Sequence, residues 1–189
     1  MGGFAAFPAM MAFPVAALSQ SEAEQLVNRL VVDINAVIAS GKSESGMISD
    51  FEQIFARYGD VPAIARSALG PTAREISSAE LRTYTSAFQG YISRKYGKRF
   101  REFIGGRIEV NGARDTGRFF AVSTTAFLRG ESPFEVTFLV ADRGGKDLFV
   151  DMLIEGVSML GTERVEVRAI LDRNRGNVAG LINDLQRAG

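Results

Sequence analysis

The chain has 189 residues and equal numbers of basic and acidic side chains, 22 of each, so its formal net charge is zero. That balance argues against a nucleic-acid-binding protein, because such proteins usually present a strongly basic surface. The sequence contains neither cysteine nor histidine, which excludes disulfides, cysteine nucleophiles, histidine bases and most zinc sites. The length favours one domain with a sizeable core.

The first seventeen residues, MGGFAAFPAMMAFPVAA, are uncharged and consist of small and apolar residues with two prolines. Val15, Ala16 and Ala17 resemble a leader-peptidase site, so we expect a signal peptide at 1–17 and a single domain at 18–189. The segment lacks a basic residue near Met1, and a buried N-terminal arm is the alternative. No later stretch has the length of a membrane span, and no cysteine is present for lipidation. We therefore expect the mature chain to be soluble outside the cytoplasm.

Helical patterns come first in the mature chain. Ser21 and Glu24 fit a capping box. The apolar stripe behind this box comprises Val27, Leu30, Val31, Ile34, Val37 and Ile38. A second helix is expected at 47–57, and a third begins with Asp60 as N-cap and Pro62 in the first turn.

The longest predicted helix begins at Ser77 or Ser78 and extends over about seven turns. Its apolar side comprises Leu81, Tyr84, Phe88, Tyr91, Ile92, Tyr96, Phe100 and Phe103. Gly97 interrupts the pattern, which indicates a kink or the close approach of another backbone. The outer side carries a basic run at 94–101, which is either a solvated helix face or a site for a phosphate or an acidic partner.

From Gly105 onwards the apolar residues alternate, which predicts strands at 107–113 and 118–128 and a hairpin within 133–160. The apolar face of the hairpin comprises Phe134, Val136, Phe138 and Val140 on one strand and Leu148, Val150, Met152 and Ile154 on the other. Helices are expected again at 158–172 and 177–187. The predicted fold class is α+β, with a curved four-stranded antiparallel sheet wrapped by helices.

The apolar face of the sheet and the aromatic helix are expected to pack together. An ordinary core is one interpretation, and a cavity for an apolar ligand is the other, because so many large side chains exceed what a small core readily fills. Asp151 and Glu155 project to the same side of a strand and are the candidates for an acid–base pair. They have no histidine, metal ligand or cofactor motif beside them, so catalysis by this pair is the less favoured interpretation.

Five segments carry a family resemblance: FARYGDVPAIAR at 55–66, Leu69-Gly70, residues 91–100, Val150-Asp151 and EGVS at 155–158. Together they resemble the MlaC family, also called toluene-tolerance proteins, and the likeness extends over about 19–187. The resemblance implies a nuclear-transport-factor-like or cystatin-like fold whose apolar cavity holds lipid tails. It also implies a monomeric periplasmic carrier, without metal, cofactor or catalytic residue, that passes diacyl phospholipid between an outer-membrane lipoprotein complex and an inner-membrane ABC transporter. Such transport maintains the lipid asymmetry of the outer membrane.

The resemblance assigns lipid contact to four groups of residues. The mouth and one wall would be Phe55, Tyr58, Val61, Ile64, Ala65 and Leu69. The roof would be Phe88, Tyr91, Ile92, Tyr96 and Phe100, and the floor Val136, Phe138, Val140, Met152 and Ile154. Val157, Met159 and Leu160 would close one end. The chain departs from the family in having no tryptophan at the start of the last strand, so the shape of the cavity and the number of acyl chains stay open.

Two other functions remain open at this point. An enzyme on the same fold would use Asp151 as its base, and loss of turnover in Asp151→Asn would favour it. A lipid-free protein-interaction module would have a packed core in place of a cavity and would purify empty. The basic run at 94–101 is the candidate for partner docking or headgroup contact.

Overall fold

The computed structural model describes residues 18–189, and the signal peptide predicted at 1–17 lies outside the described residues. The first helices are α1 (Gln20–Ala39), α2 (Glu44–Tyr58), α3 (Val61–Leu69) and α4 (Ser78–Gly97). The strands are β1 (Arg107–Asp115), β2 (Phe120–Phe127), β3 (Phe134–Asp142), β4 (Asp147–Ile154) and β5 (Val157–Ser158). Helices α5 (Met159–Arg173) and α6 (Val178–Arg187) close the chain, and short 3-10 helices follow α3 (Gly70–Arg74) and α4 (Lys98–Arg101). The predicted α+β order is confirmed.

The described strands form one antiparallel sheet in the order β1-β2-β3-β4-β5. The prediction of four strands is wrong by one, because β5 has only two residues and is too short to show alternation. It pairs with β4 across a tight turn at Glu155-Gly156, where both residues have positive φ, 48° and 80°. That geometry is typical of two-residue hairpins. Ser158 then caps α5 by accepting a hydrogen bond from the Gly161 N–H.

A bulge between β3 and β4 changes which side chains of β4 face the helices. The register pairs Val140 with Phe149 and leaves Val150 as the extra residue. The strict alternation predicted Leu148 on the apolar face, and that prediction is wrong, because the bulge puts Phe149 there instead. Phe149 is buried, and its ring centroid lies 5.7 Å from that of Phe138.

Hydrogen bonds from the helical part of the chain reach both edges of the sheet. The side-chain amide of Asn35 on α1 bonds both the N–H and the C=O of Ile108 on the edge strand β1, at 2.9 Å each. At the opposite edge, the Asp60 N–H, between α2 and α3, donates to the carbonyl of Phe149 on β4 at 2.9 Å. Unpaired edge groups invite pairing with other chains. These bonds therefore protect the sheet and fix the helices against it.

Side-chain caps start the helices. The capping box of α1 is formed by Ser19 and Glu22 rather than the predicted Ser21 and Glu24, because two S-x-x-E patterns overlap and the upstream one is used. The predicted N-cap Asp60 of α3 is confirmed. Helix α4 was predicted to begin at Ser77 or Ser78, and it begins at Ser78 with Ser77 as its N-cap.

Helix α4 ends earlier than its apolar pattern predicted. It stops at Gly97, where a Cβ atom would lie 3.0 Å from the Ile48 Cα of α2, so the expected close backbone approach is confirmed. Only glycine lets α2 and α4 come this near, and the chain continues as the 3-10 helix. Among residues 18–189, no helix combines the length and the hydropathy needed to span a bilayer.

Candidate functional site: an apolar cavity

A cavity of about 220 Å³ lies between the sheet and helices α1, α2 and α4. Sixteen of the twenty residues that line it are apolar. A cavity of this composition offers water few hydrogen-bonding partners. It is therefore suited to hydrocarbon rather than to a polar substrate.

The sheet and the helices form opposite walls of the cavity. The sheet wall comprises Ile108 of β1, Leu128 just after β2, Phe134, Val136 and Phe138 of β3, and Phe149, Met152 and Ile154 of β4. The helical wall comprises Leu30 and Ile34 of α1, Phe51, Ile54 and Phe55 of α2, Ile92 and Tyr96 of α4, and Met159 of α5. The alternation of β3 and the 3.6-residue periodicity of the helices place these side chains on facing surfaces.

The exposed lining residues mark the mouth of the cavity. Arg99, Glu102 and Glu131 line the cavity and are exposed. The partly buried rings of Phe103 and Phe134 meet edge to face beside them, with centroids 6.2 Å apart. The site thus has a charged mouth (Arg99, Glu102 and Glu131) next to an aromatic pair and an apolar interior.

Eight of the nineteen residues assigned to lipid contact line this cavity: Phe55, Ile92, Tyr96, Val136, Phe138, Met152, Ile154 and Met159. Ten others do not line it: Tyr58, Val61, Ile64, Ala65, Leu69, Phe88, Tyr91, Val140, Val157 and Leu160. Val157 is 64% exposed on β5, and the α3 residues are buried where α3 packs against α4 and α5. The side chain of Phe100 lies outside the described part of the chain. Lipid contact stays a prediction for all nineteen residues.

The aromatic side of α4 is divided between the core and the cavity. Tyr84, Phe88 and Tyr91 are buried and form a row with centroid distances of 5.9 and 6.3 Å, in a helix that packs against α2, α3 and α6. Ile92 and Tyr96, nearer the C-terminal end, line the cavity.

The sequence showed the apolar stripe of α1, but it did not show that this stripe would contribute to the cavity.

A buried polar cluster fixes Tyr96 at the cavity wall. The Glu163 side chain is fully buried, and its Oε1 accepts from the Tyr96 hydroxyl at 2.7 Å and from Lys95 Nζ at 2.9 Å. Burial alone would lower the pKa of Lys95, but hydrogen bonds to Glu163 and Glu166 outweigh it and raise that pKa. Burial, with hydrogen bonding to Glu163, raises the pKa of Tyr96. The cluster joins α4 to α5 behind the cavity.

Most of the basic run at 94–101 is engaged within the protein. Arg94 and Lys98 donate to backbone carbonyls at the C-terminal end of the chain, at distances between 2.5 and 2.8 Å. Arg101 forms an ion pair with Glu44 at 3.3 Å. Arg99 is the basic residue of the run that lines the cavity.

Asp151 organises the entry into α5 and does not line the cavity. Its Oδ1 accepts from the N–H groups of Met152 and Leu160 at 2.7 and 2.9 Å, and its Oδ2 accepts from the Ser158 hydroxyl at 2.6 Å. Both oxygens are thus occupied, which argues against a role as a general base. Within residues 18–189, no three acidic side chains are grouped so as to hold a metal ion.

Comparisons with known proteins agree with the family suggested by the sequence motifs. The family described as MlaC protein matches residues 24–187. A solved structure of a phospholipid-binding protein from Ralstonia solanacearum, in complex with a phospholipid, has a TM-score of 0.75 and 18% sequence identity to this chain. The similarity covers 87% of this chain and 95% of that one, and at this identity it establishes a shared fold. No curated protein matches the chain. From the family match over most of its length, the chain belongs to the MlaC family.

Proposed function

We propose that this protein binds a diacyl phospholipid, with the acyl chains in the cavity and the headgroup at the charged mouth. The observation that carries the proposal is the apolar cavity whose exposed lining residues are charged. Membership of the MlaC family and the fold shared with a phospholipid-bound protein support it. The eight predicted residues that line the cavity would contact the acyl chains.

The energetics suit a carrier. Moving a methylene group out of water contributes about 0.8 kcal/mol, whether it enters a bilayer or an apolar cavity. A lipid that passes from membrane to cavity therefore exchanges one apolar environment for another. The protein can accept and release it without strong headgroup contacts.

The size of the cavity implies that its walls move when lipid enters. Its volume of about 220 Å³ is below the roughly 300–1,000 Å³ of pockets that hold drug-sized ligands. We infer that two acyl chains enter only if the walls separate. Met152 and Met159 line the cavity, and their unbranched side chains can adapt to a range of chain shapes.

For the biological role, we propose a periplasmic carrier that acts as a monomer between an outer-membrane lipoprotein complex and an inner-membrane ABC transporter, and so maintains outer-membrane lipid asymmetry. This role rests on family membership. Of the alternatives, an enzyme that uses Asp151 is disfavoured by the three hydrogen bonds that this side chain accepts. The experiment described next distinguishes a lipid-free interaction module from a lipid carrier.

The first test is native mass spectrometry of protein purified from a bacterial periplasm, followed by organic extraction and lipid analysis. We expect diacyl phospholipid at a fixed stoichiometry. A folded protein that is empty, and whose stability does not change on adding lipid, would instead support the interaction module. Transfer of a fluorescent phospholipid between donor and acceptor vesicles then tests the carrier role.

A further inference from the structure

We propose that the charged mouth selects phospholipids whose headgroup carries both a phosphate and a primary ammonium group, such as phosphoethanolamine, over anionic phospholipids. This inference rests on the proposed function. The mouth presents one cation, Arg99, and two carboxylates, Glu102 and Glu131. Charges of both signs at one opening complement a zwitterion better than a headgroup with a net negative charge.

Arg99 is available to a phosphate. Its Nε lies 3.5 Å from Glu102 Oε2, and the two side chains are 60% and 56% exposed, so the pair is loose and hydrated. The remaining guanidinium N–H groups can donate to phosphate oxygens in the bidentate manner that arginine favours.

Glu131 is the carboxylate available to the ammonium group. It is exposed on the loop between β2 and β3, and within residues 18–189 no hydrogen bond or ion pair engages its side chain. A primary ammonium can donate charge-assisted hydrogen bonds to it. A quaternary ammonium has no N–H to donate and would gain less.

The neighbouring arginines Arg101, Arg107 and Arg129 do not line the cavity. Arg101 and Arg107 are already paired with Glu44 and Glu109. Arg129 lies beside Gly105 and does not line the cavity. An anionic headgroup would thus satisfy Arg99 and leave the Glu131 carboxylate facing a net negative ligand.

The test loads purified, delipidated protein from vesicles that contain equal amounts of diacylphosphatidylethanolamine and diacylphosphatidylglycerol with identical acyl chains. The bound lipids are extracted and quantified by mass spectrometry. Because exposed ion pairs contribute little, we expect an enrichment of the ethanolamine lipid of about two- to fivefold at low salt. We expect Glu131→Lys to abolish or reverse it. Glu75→Lys makes the same charge change at an exposed position away from the cavity and should leave the ratio unchanged.

The outcomes separate this inference from the proposed function. Bound lipids that mirror the vesicle composition in both the unaltered protein and Glu131→Lys would refute headgroup selection while leaving lipid binding intact. An equal change of ratio in Glu75→Lys would show that only net charge matters, and would also refute it. In vesicles of phosphatidylcholine and phosphatidylglycerol, enrichment of the choline lipid to the same extent would overturn the requirement for a primary ammonium. Failure to bind any lipid would refute the proposed function itself.

Discussion

Placing a carboxylate inside the cavity by Met152→Asp tests the lipid-binding wall most directly. Met152 lines the cavity from β4 and is only partly buried. In the empty protein, an aspartate there can keep water around it, so we expect the variant to fold. Acyl chains that fill the cavity would remove that water.

The loss of lipid-binding free energy in Met152→Asp follows from the free energy needed to protonate the new carboxylate. A carboxyl group in an apolar environment takes up a proton rather than remain charged. With an unperturbed pKa near 3.9, protonation at pH 7 costs about 4 kcal/mol at 1.36 kcal/mol per pKa unit, a loss of about a thousandfold in affinity. The pKa of this carboxyl is raised in the loaded state, so affinity should recover as the pH falls. Between pH 7 and pH 5 the recovery should be about a hundredfold.

The assay is equilibrium partitioning of a fluorescent phospholipid between vesicles and protein at pH 7 and pH 5. Met152→Leu keeps the site apolar and controls for shape, and affinity should stay within a few fold. Val32→Asp adds the same charge at a position on α1 that is 66% exposed, and should bind as the unaltered protein does. If folded Met152→Asp protein binds lipid normally at pH 7, the acyl chains do not occupy this cavity.

Three further predictions concern Lys95, Tyr84 and Asp151, which do not line the cavity. Lys95→Met leaves the buried Glu163 carboxylate without its cation and should lower the free energy of unfolding, measured in urea, by about 3 kcal/mol. Adding Glu163→Leu should recover much of this loss of stability. A loss below about 1 kcal/mol in Lys95→Met would contradict the role of the pair. Burial raises the pKa of Tyr84, so above pH 10 the unfolded state loses a proton that the folded state retains, and stability falls by up to about 1.4 kcal/mol per pH unit. Urea unfolding from pH 9 to pH 11 should show a shallower fall in Tyr84→Phe, and equal slopes would refute this. Asp151→Asn should cost about 1–2 kcal/mol of stability and leave lipid binding unchanged, whereas impaired binding by the folded variant would place Asp151 in the site.

Local patterns were sufficient for much of the fold. The N-cap role of Asp60 follows from its own side chain, whose oxygen accepts from Ala63 N–H. The capping box of Ser77 and Glu80 depends on residues three positions apart. The apolar alternation of Phe134 to Val140 likewise marks the face of β3 that reaches the cavity. Each of these features is determined within a few residues, so the sequence displays it.

Other features of the site depend on contacts between distant segments. The bulge that turns Phe149 towards Phe138 arises in the pairing of two strands, and alternation within β4 alone cannot show it. Periodicity likewise shows that α1 has an apolar face without showing what that face covers. The charged mouth joins Arg99 to Glu131, which are far apart in sequence, so its mixed charge became visible only in three dimensions.

The contacts around the cavity also indicate where its walls can separate. The close approach of Gly97 to Ile48 holds α4 against α2, and the hydrogen bond from Tyr96 to Glu163 holds it to α5. Asn35 fixes α1 to the edge of the sheet through two further bonds. At the mouth, by contrast, the contacts of the 3-10 helix, from Lys98 to the Gly189 carbonyl and from Arg101 to Glu44, lie at the exposed surface. Glu131, on the loop between β2 and β3, is also exposed. Opening a local segment costs less where fewer buried contacts are broken, so we infer that lipid enters by displacement of the mouth while the helical wall keeps its position.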